Sequence, residues 1–217
     1  MARSQLIAVS NLKGGTAKTT LAVNIASALA GDAAVVVVDA DEQGTAAAWA
    51  TAGHLPVKVV PIVLHEGDVT GWIEAVVALK AAHDLVVVDC PPNLGAVALA
   101  ALTLADLVVV PVTASGMDLK ATARALELVQ QARQARRSDK PVVLLVPSKV
   151  DRRTASGREV EAVLSDFREP VAPAVAQRAA HVDAFSAGQW IGDYAPRSAA
   201  HVDVEAVAAL VKRMLNR

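Results

Sequence analysis

One cysteine in 217 residues leaves no partner for an intrachain disulfide and no thiolate set for a zinc site. That residue, Cys90, follows four apolar residues and Asp89, which reads as a small buried side chain at a strand end. Aromatic residues make up 3% of the chain, too few for the stacking platforms that hold single-stranded nucleic acids. No apolar run approaches the roughly 20 residues needed to cross a bilayer. The first run, Leu6 to Val9, is too short for the core of a signal peptide. Net charge is −1, so the bulk charge does not announce a nucleic-acid binder, and any DNA contact would need a local basic patch. A soluble, cytoplasmic protein is expected, with a length suited to one domain over residues 1–217.

What the chain has is apolar residues, 53% of the total, broken into short runs by turns and charges. Runs of β-branched residues without alternation, at 34–38, 85–88, 107–110 and 142–146, predict strands buried on both faces. Residues 6–9 and 57–63 are further strand candidates. Between them lie Ala-rich helical segments at 19–30, 70–82, 94–104 and 119–137. Beyond Asp151 the pattern weakens to a helix at 158–167, a short edge strand at 170–175 and a terminal helix at 203–215. This alternation predicts an α/β fold: a doubly wound, mostly parallel sheet with helices on both faces. Such folds bind ligands beyond the carboxyl ends of their strands, so the polar residues just after each strand carry the functional information.

The first of those segments runs Lys13, Gly14, Gly15, Thr16, Ala17, Lys18, Thr19, Thr20 between a strand and an apolar helix. Paired glycines let backbone N–H groups approach phosphate oxygens, and the following helix adds the positive end of its dipole. Lys18 can reach β- and γ-phosphates, and the Thr19 hydroxyl is placed to ligate Mg²⁺. The strict phosphate-loop pattern fails, because Leu12 and Ala17 stand where it requires glycine. Ala17 adds one methyl group and is tolerated if its φ is helical or extended.

The extra lysine before the glycine pair makes this segment resemble the deviant Walker A loop of the ParA/MinD family, whose usual form is Lys-Gly-Gly-x-Gly-Lys-Thr-Thr. That resemblance implies a P-loop NTPase fold, ATP and Mg²⁺ as cofactors, and ATP hydrolysis. It also implies an ATP-bound sandwich homodimer in which Lys13 reaches the partner's phosphates, much as an arginine finger does elsewhere. The run Asp39, Ala40, Asp41, Glu42, Gln43 is similar to the family's Asp-x-Asp-Pro-Gln motif, with Glu42 in place of proline. By resemblance Asp41 positions the attacking water and Asp39 supports Mg²⁺ through its hydration shell; a capping cluster for a helix from Thr45 is the plainer alternative. Asp89, closing a hydrophobic strand, resembles a Walker B acid that holds a Mg²⁺-bound water, and Cys90, Pro91 and Pro92 resemble switch II. Pro111 to Asp118 is similar to a segment of small plasmid-partition members such as ParF. Ser148 and Lys149 fall where relatives contact adenine, although a solvated loop remains open there.

The resemblance covers the chain from Gln5 to its terminal helix and implies a choice of surface. ParA members grip nonspecific double-stranded DNA, and MinD members grip membrane through a terminal amphipathic helix. The segment 203–217 has one apolar face without Phe or Trp, which favours a helix packed on the sheet over a membrane anchor. Basic residues of the later half, among them Arg152, Arg153 and Arg178, are candidates for DNA contact or ordinary surface charges. No helix-turn-helix segment precedes Leu6, so a short ParA type is expected, nucleoid-associated and stimulated by a ParB-like or other adaptor. A MinD-like membrane regulator, a dethiobiotin-synthetase-like ligase and a nucleotide binder without turnover stay open as alternatives.

Overall fold

A computed structural model describes residues 4–64, 67–92, 95–114 and 116–216. Elements run β1 (Gln5–Val9), α1 (Lys18–Leu29), β2 (Val35–Asp39), α2 (Thr45–Ala50), β3 (Lys58–Pro61), α3 (Val69–Ala82), β4 (Leu85–Asp89) and α4 (Ala96–Leu104). They continue with β5 (Leu107–Val112), α5 (Gly116–Arg136), β6 (Val142–Pro147), α6 (Ala155–Ser165), α7 (Ala179–Ser186), α8 (Ile191–Tyr194) and α9 (Ala199–Leu215). The strands form one sheet in the order β3-β2-β4-β1-β5-β6, with every described pairing parallel.

Side chains of successive strand residues point to opposite faces, and here both faces are apolar. Leu6, Ala8, Val36, Val38, Val86 and Val88 pack into one core with α3, α4, α5 and α6. Ile7, Val9, Val35, Val37, Leu85 and Val87 pack into a second core with α1, α2 and α9. Burying a Val, Leu or Ile contributes about 1.5–3 kcal/mol, so continuous β-branched runs, rather than alternating ones, are what this doubly wound arrangement selects.

The predicted strands and long helices are present with ends shifted by a few residues. The helix predicted at 158–167 begins at Ala155, where the Thr154 hydroxyl accepts the Gly157 N–H. The terminal helix begins at Ala199, with the Ser198 hydroxyl accepting the His201 N–H. The edge strand expected at 170–175 is corrected. Its backbone follows β6 through isolated bridges, Leu145 with Val171 and Val150 with Ala176, and forms no ladder of its own. Pro170 and Pro173 supply no N–H, so continuous pairing is interrupted. Leu94, where the α4 prediction began, lies outside the described residues, as do Asn93, Ser115 and Arg217.

Strand order reverses at β1, between β4 and β5, and the loop 10–17 leaves the carboxyl end of β1 at this switch point. The sheet therefore places the phosphate-loop candidate at the crevice where open α/β folds take their ligands.

Candidate functional site

The loop is anchored to β5 and to the residue that follows β6. Ser10 N–H donates to the Val109 carbonyl (3.0 Å), and the Asn11 side-chain amide donates to the Pro111 carbonyl (2.6 Å). The Ser148 hydroxyl, fully buried after β6, donates to the Thr16 carbonyl (2.8 Å). Thr16 itself is buried, and its hydroxyl donates to the Lys13 carbonyl (3.3 Å). Leu12, one departure from the strict pattern, packs against the core under the loop. Gly14 and Gly15 are exposed, and a Cβ added at either would meet nothing within 4 Å. That open approach to the backbone is what a phosphate needs.

Ala17, the second departure, sits at the N-cap of α1 with φ 73° and ψ 29°, in the left-handed region. The condition under which an alanine there would be free of strain, helical or extended φ, is not met. A left-handed non-glycine residue costs roughly 1–2 kcal/mol. Ala17 also offers no side-chain cap to α1, whereas α3, α6 and α9 are capped by Asp68, Thr154 and Ser198. The first N–H groups of α1 thus lack the usual side-chain acceptor, which suits an anion.

The charged residues converge on this end of α1. Lys18 is buried and donates from Nζ to the Lys13 carbonyl (3.1 Å). Burial lowers its pKa, against the raising pull of Asp89, Cys90 and Asp41. Asp39 and Asp89 end neighbouring strands in direct register and are both buried. Asp39 accepts N–H groups from Asp41 (3.2 Å) and Ala47 (2.8 Å), so it does cap α2, as the plainer reading of that motif expected. Asp41 is half-buried, and its Oδ1 accepts the Gln43 N–H (3.1 Å). Glu42 is exposed.

Asp89 differs. Neither carboxylate oxygen accepts a protein hydrogen bond in proper geometry. Burial pushes its pKa up to about 7, the Thr19 hydroxyl and Lys18 ammonium lowering it and Asp39 and Asp41 raising it. A buried carboxylate without donors is costly unless something else neutralises it. With the Thr19 hydroxyl beside it, this donor pair fits a hard cation that takes oxygen ligands and keeps several waters, the habit of Mg²⁺. Among the described residues no group of three or more His, Cys, Asp or Glu gathers as a metal cluster. Cys90 is fully buried, as read from sequence, and burial pushes its thiol up to about 12, which disfavours the reactive thiolate.

Beyond the far end of the loop opens a cavity of about 540 Å³, lined by Ala17, Thr19 and Thr20 on one side and by Gln177, Arg178 and His181 on the other. Lys149, an expected adenine contact, is exposed and belongs to this lining. Ser148 is not among those residues; its hydroxyl is spent on Thr16. Of the segment 176–185, sequence reasoning singled out only Arg178, as a candidate DNA contact, because the rest bears no motif. Its one signal is its position just after the bridges that follow β6. Arg152, Arg153 and Arg178 line one concavity of about 870 Å³. Each is ion-paired within the chain: Arg152 with Glu161 (3.0 Å), Arg153 with Asp151 (2.7 Å) and Arg178 with Asp203 (3.3 Å).

With this geometry in hand, the sequence from residue 7 to residue 190 matches the CobQ/CobB/MinD/ParA nucleotide binding domain. The chain belongs to this family. It is thereby a ParA/MinD-type P-loop domain, as its deviant loop implied. It is similar to the maintenance of carboxysome distribution protein A of Halothiobacillus neapolitanus, at 33% identity over 166 residues and 76% of each chain. It is also similar to the chromosome-partitioning ATPase Soj of Thermus thermophilus, at 33% identity over 226 residues and 91% of each chain. Among solved structures, the ATP complex of Cyanothece McdA superposes with a TM-score of 0.81 at 16% identity, covering 100% of this chain and 98% of that one. MinD of Pyrococcus horikoshii with Mg-ADP gives a TM-score of 0.80 at 18% identity, covering 97% of both. At those identities the superpositions speak for the fold of the ParA/MinD domain. Among the described residues no helix is long and apolar enough to cross a membrane.

Proposed function

We propose that this chain is a ParA-type ATPase that uses ATP binding to form a sandwich dimer and ATP hydrolysis to release it. The observation that carries the reading is the loop at the switch point, where Lys13 and Lys18 flank open backbone and the buried Asp89 stands beside Thr19. In this reading Lys18 leaves the Lys13 carbonyl to hold the β- and γ-phosphates, and N–H groups of Gly14 to Thr20 cradle them. Thr19 and Asp89 would hold Mg²⁺, Asp39 supporting from the neighbouring strand; the ion, when bound, offsets the charge of the phosphate oxygens. Asp41 orients the attacking water. Lys13 reaches the phosphates of a second copy, adding a fixed cation where transition-state charge develops. The cavity past Thr20 accommodates the nucleoside.

The same reading assigns the ATP-bound dimer a nonspecific hold on double-stranded DNA and an adaptor that stimulates turnover. Relatives named for chromosome partitioning and carboxysome distribution point to chromosomes or protein assemblies as the class of cargo, ahead of plasmids. Because Arg152, Arg153 and Arg178 are paired in the single chain, DNA contact through them requires exchanging Glu161, Asp151 and Asp203 for phosphates. Such exchange is inexpensive at a surface, where ion pairs contribute about 0–1 kcal/mol. A MinD-like hold on membrane is disfavoured by α9, whose Val204, Val207, Ala208 and Val211 are buried in the cores of the chain.

The test measures ATPase rate and ATP-dependent retention on nonspecific duplex DNA and on liposomes. Lys13→Ala is expected to lose dimer-dependent turnover and DNA retention. Asp41→Ala is expected to bind ATP and DNA while hydrolysing slowly. Unchanged turnover in both variants would sink the mechanism, and retention on liposomes in place of DNA would transfer the chain to the membrane-binding class.

A further inference from the structure

Two titratable side chains among the described residues have buried polar atoms with no protein partner, Asp89 and His181. The first belongs to the phosphate end of the site. The second lies on α7, in the opposite wall of the cavity that opens at Ala17, Thr19 and Thr20. Both ring nitrogens of His181 are sealed from solvent, and among the described residues no group bonds to either. Burial lowers its pKa, Arg178 adding to that effect and Asp203 opposing it, so the ring is neutral at physiological pH. A neutral imidazole carries one N–H donor and one bare acceptor. Leaving both unmatched disfavours the folded chain unless the position serves something else.

The surroundings indicate what that is. Trp49 and Phe185 stand edge to face in the same cavity, centroids 5.3 Å apart, and Trp49 is fixed by its indole N–H to the Gln189 carbonyl (3.0 Å). A hollow with aromatic walls and a few polar side chains, among which only His181 has buried nitrogens without a described partner, has the composition of a site for a flat heteroaromatic ring. A volume of about 540 Å³ admits a nucleoside, and the cavity begins where the phosphate loop ends.

We propose that His181 is the base-reading residue of the nucleotide site, its ring pairing with the polar edge of the purine. This rests on the assignment of Lys13 to Thr20 as the triphosphate loop. The adenine edge sets an amino donor beside a ring-nitrogen acceptor, so either tautomer of His181 finds a complement. The ring turns from its sealed position into the cavity to do so, a side-chain rearrangement common on binding. His181 thus contributes to the preference for a nucleotide over a bare polyphosphate and takes no part in the chemistry at phosphorus.

The experiment compares ATP with inorganic tripolyphosphate, each with Mg²⁺, by calorimetry on the native chain, His181→Ala and His181→Gln. Expected is a roughly tenfold loss of ATP affinity in His181→Ala with tripolyphosphate affinity unchanged, and recovery of most of the loss in His181→Gln, which keeps a donor and an acceptor. Equal ATP affinity in His181→Ala, or equal losses for ATP and tripolyphosphate, would overturn the proposal. A native chain that binds neither ligand overturns the triphosphate assignment and this proposal with it. A native chain that binds both equally overturns this proposal alone. NMR of the His181 ring in the native chain gives a measurement independent of variant folding. Its resonances are expected to move with ATP and stay with tripolyphosphate; resonances indifferent to ATP would reject the contact.

Discussion

Asp39 and Asp89 face each other across the β2–β4 ladder, both buried, yet the backbone satisfies one and abandons the other. Asp39 takes the N–H groups of Asp41 and Ala47 and holds the turn into α2. Asp89 takes none, and burial raises its pKa to about 7. A carboxylate so placed weakens the fold and is useful only when a cation arrives. Asp89→Asn is therefore expected to raise the unfolding temperature of the nucleotide-free chain by a few degrees, equivalent to about 1–2 kcal/mol. The same variant should lose the extra stability that native protein gains from Mg²⁺ with ATP. Thermal unfolding with and without the ligands checks both, and a variant less stable in every condition would contradict the argument.

Ala17 makes a second local conflict measurable. Its φ of 73° is ordinary for glycine and strained for alanine. Ala17→Gly relieves that strain but enlarges the freedom of the unfolded chain, so the net gain is expected at up to about 1 kcal/mol. Ala17→Val, with a branched Cβ in a left-handed position, should cost more than 1 kcal/mol. Chemical denaturation of the three chains should therefore order them Gly, Ala, Val. If valine matches alanine, the loop does not hold this backbone conformation.

Sequence alone was most informative where burial acts on both faces of a strand. Val35 to Val38, Leu85 to Val88 and Val142 to Val146 could hardly be anything but strands of a covered parallel sheet. The phosphate loop was legible because its glycines and lysines have few other uses in that context. Legibility failed where the decisive partner is distant in sequence. Nothing near Ser148 says that its hydroxyl will meet the Thr16 carbonyl, 132 residues away. Nothing near Arg152 or Arg178 says that Glu161 and Asp203 will pair with them. His181, too, reads as an unremarkable polar residue of a short helix until the fold sets it opposite the loop.

At the other end of the sheet, Asp106 supplies a pH test remote from the nucleotide. It accepts the Leu6 N–H (2.9 Å) and meets Lys140 (3.1 Å) and Lys80 (3.7 Å). Burial alone would raise its pKa, but the Leu6 N–H and the two lysines outweigh it and the pKa is lowered. The sign follows: a carboxyl depressed in the folded state stabilises above its unfolded pKa of about 3.8, and that contribution is lost as pH falls through the folded value. Asp106→Asn should cost about 1–3 kcal/mol at pH 7 and flatten the acid limb of the stability curve below about pH 4. ATP affinity at neutral pH should be unchanged, because Asp106 lies at the amino ends of the parallel strands and the loop at their carboxyl ends.

Ser148 provides the counterpart to His181. A role in contacting adenine predicts that Ser148→Ala weakens ATP alone. The structure gives the hydroxyl to the Thr16 carbonyl inside a fully buried contact, so its effect should travel through the loop. Removing it leaves that carbonyl unsatisfied, at a cost of about 1–3 kcal/mol, and frees the turn that presents Gly14 and Gly15. Ser148→Ala is therefore expected to lower stability and to weaken ATP and tripolyphosphate by the same factor. Ser148→Thr, which retains the hydroxyl but must fit a methyl group into a closed space, should recover little. Calorimetry with both ligands decides the matter: a loss confined to ATP would return Ser148 to the base, and a shared loss assigns it to the support of the phosphate loop.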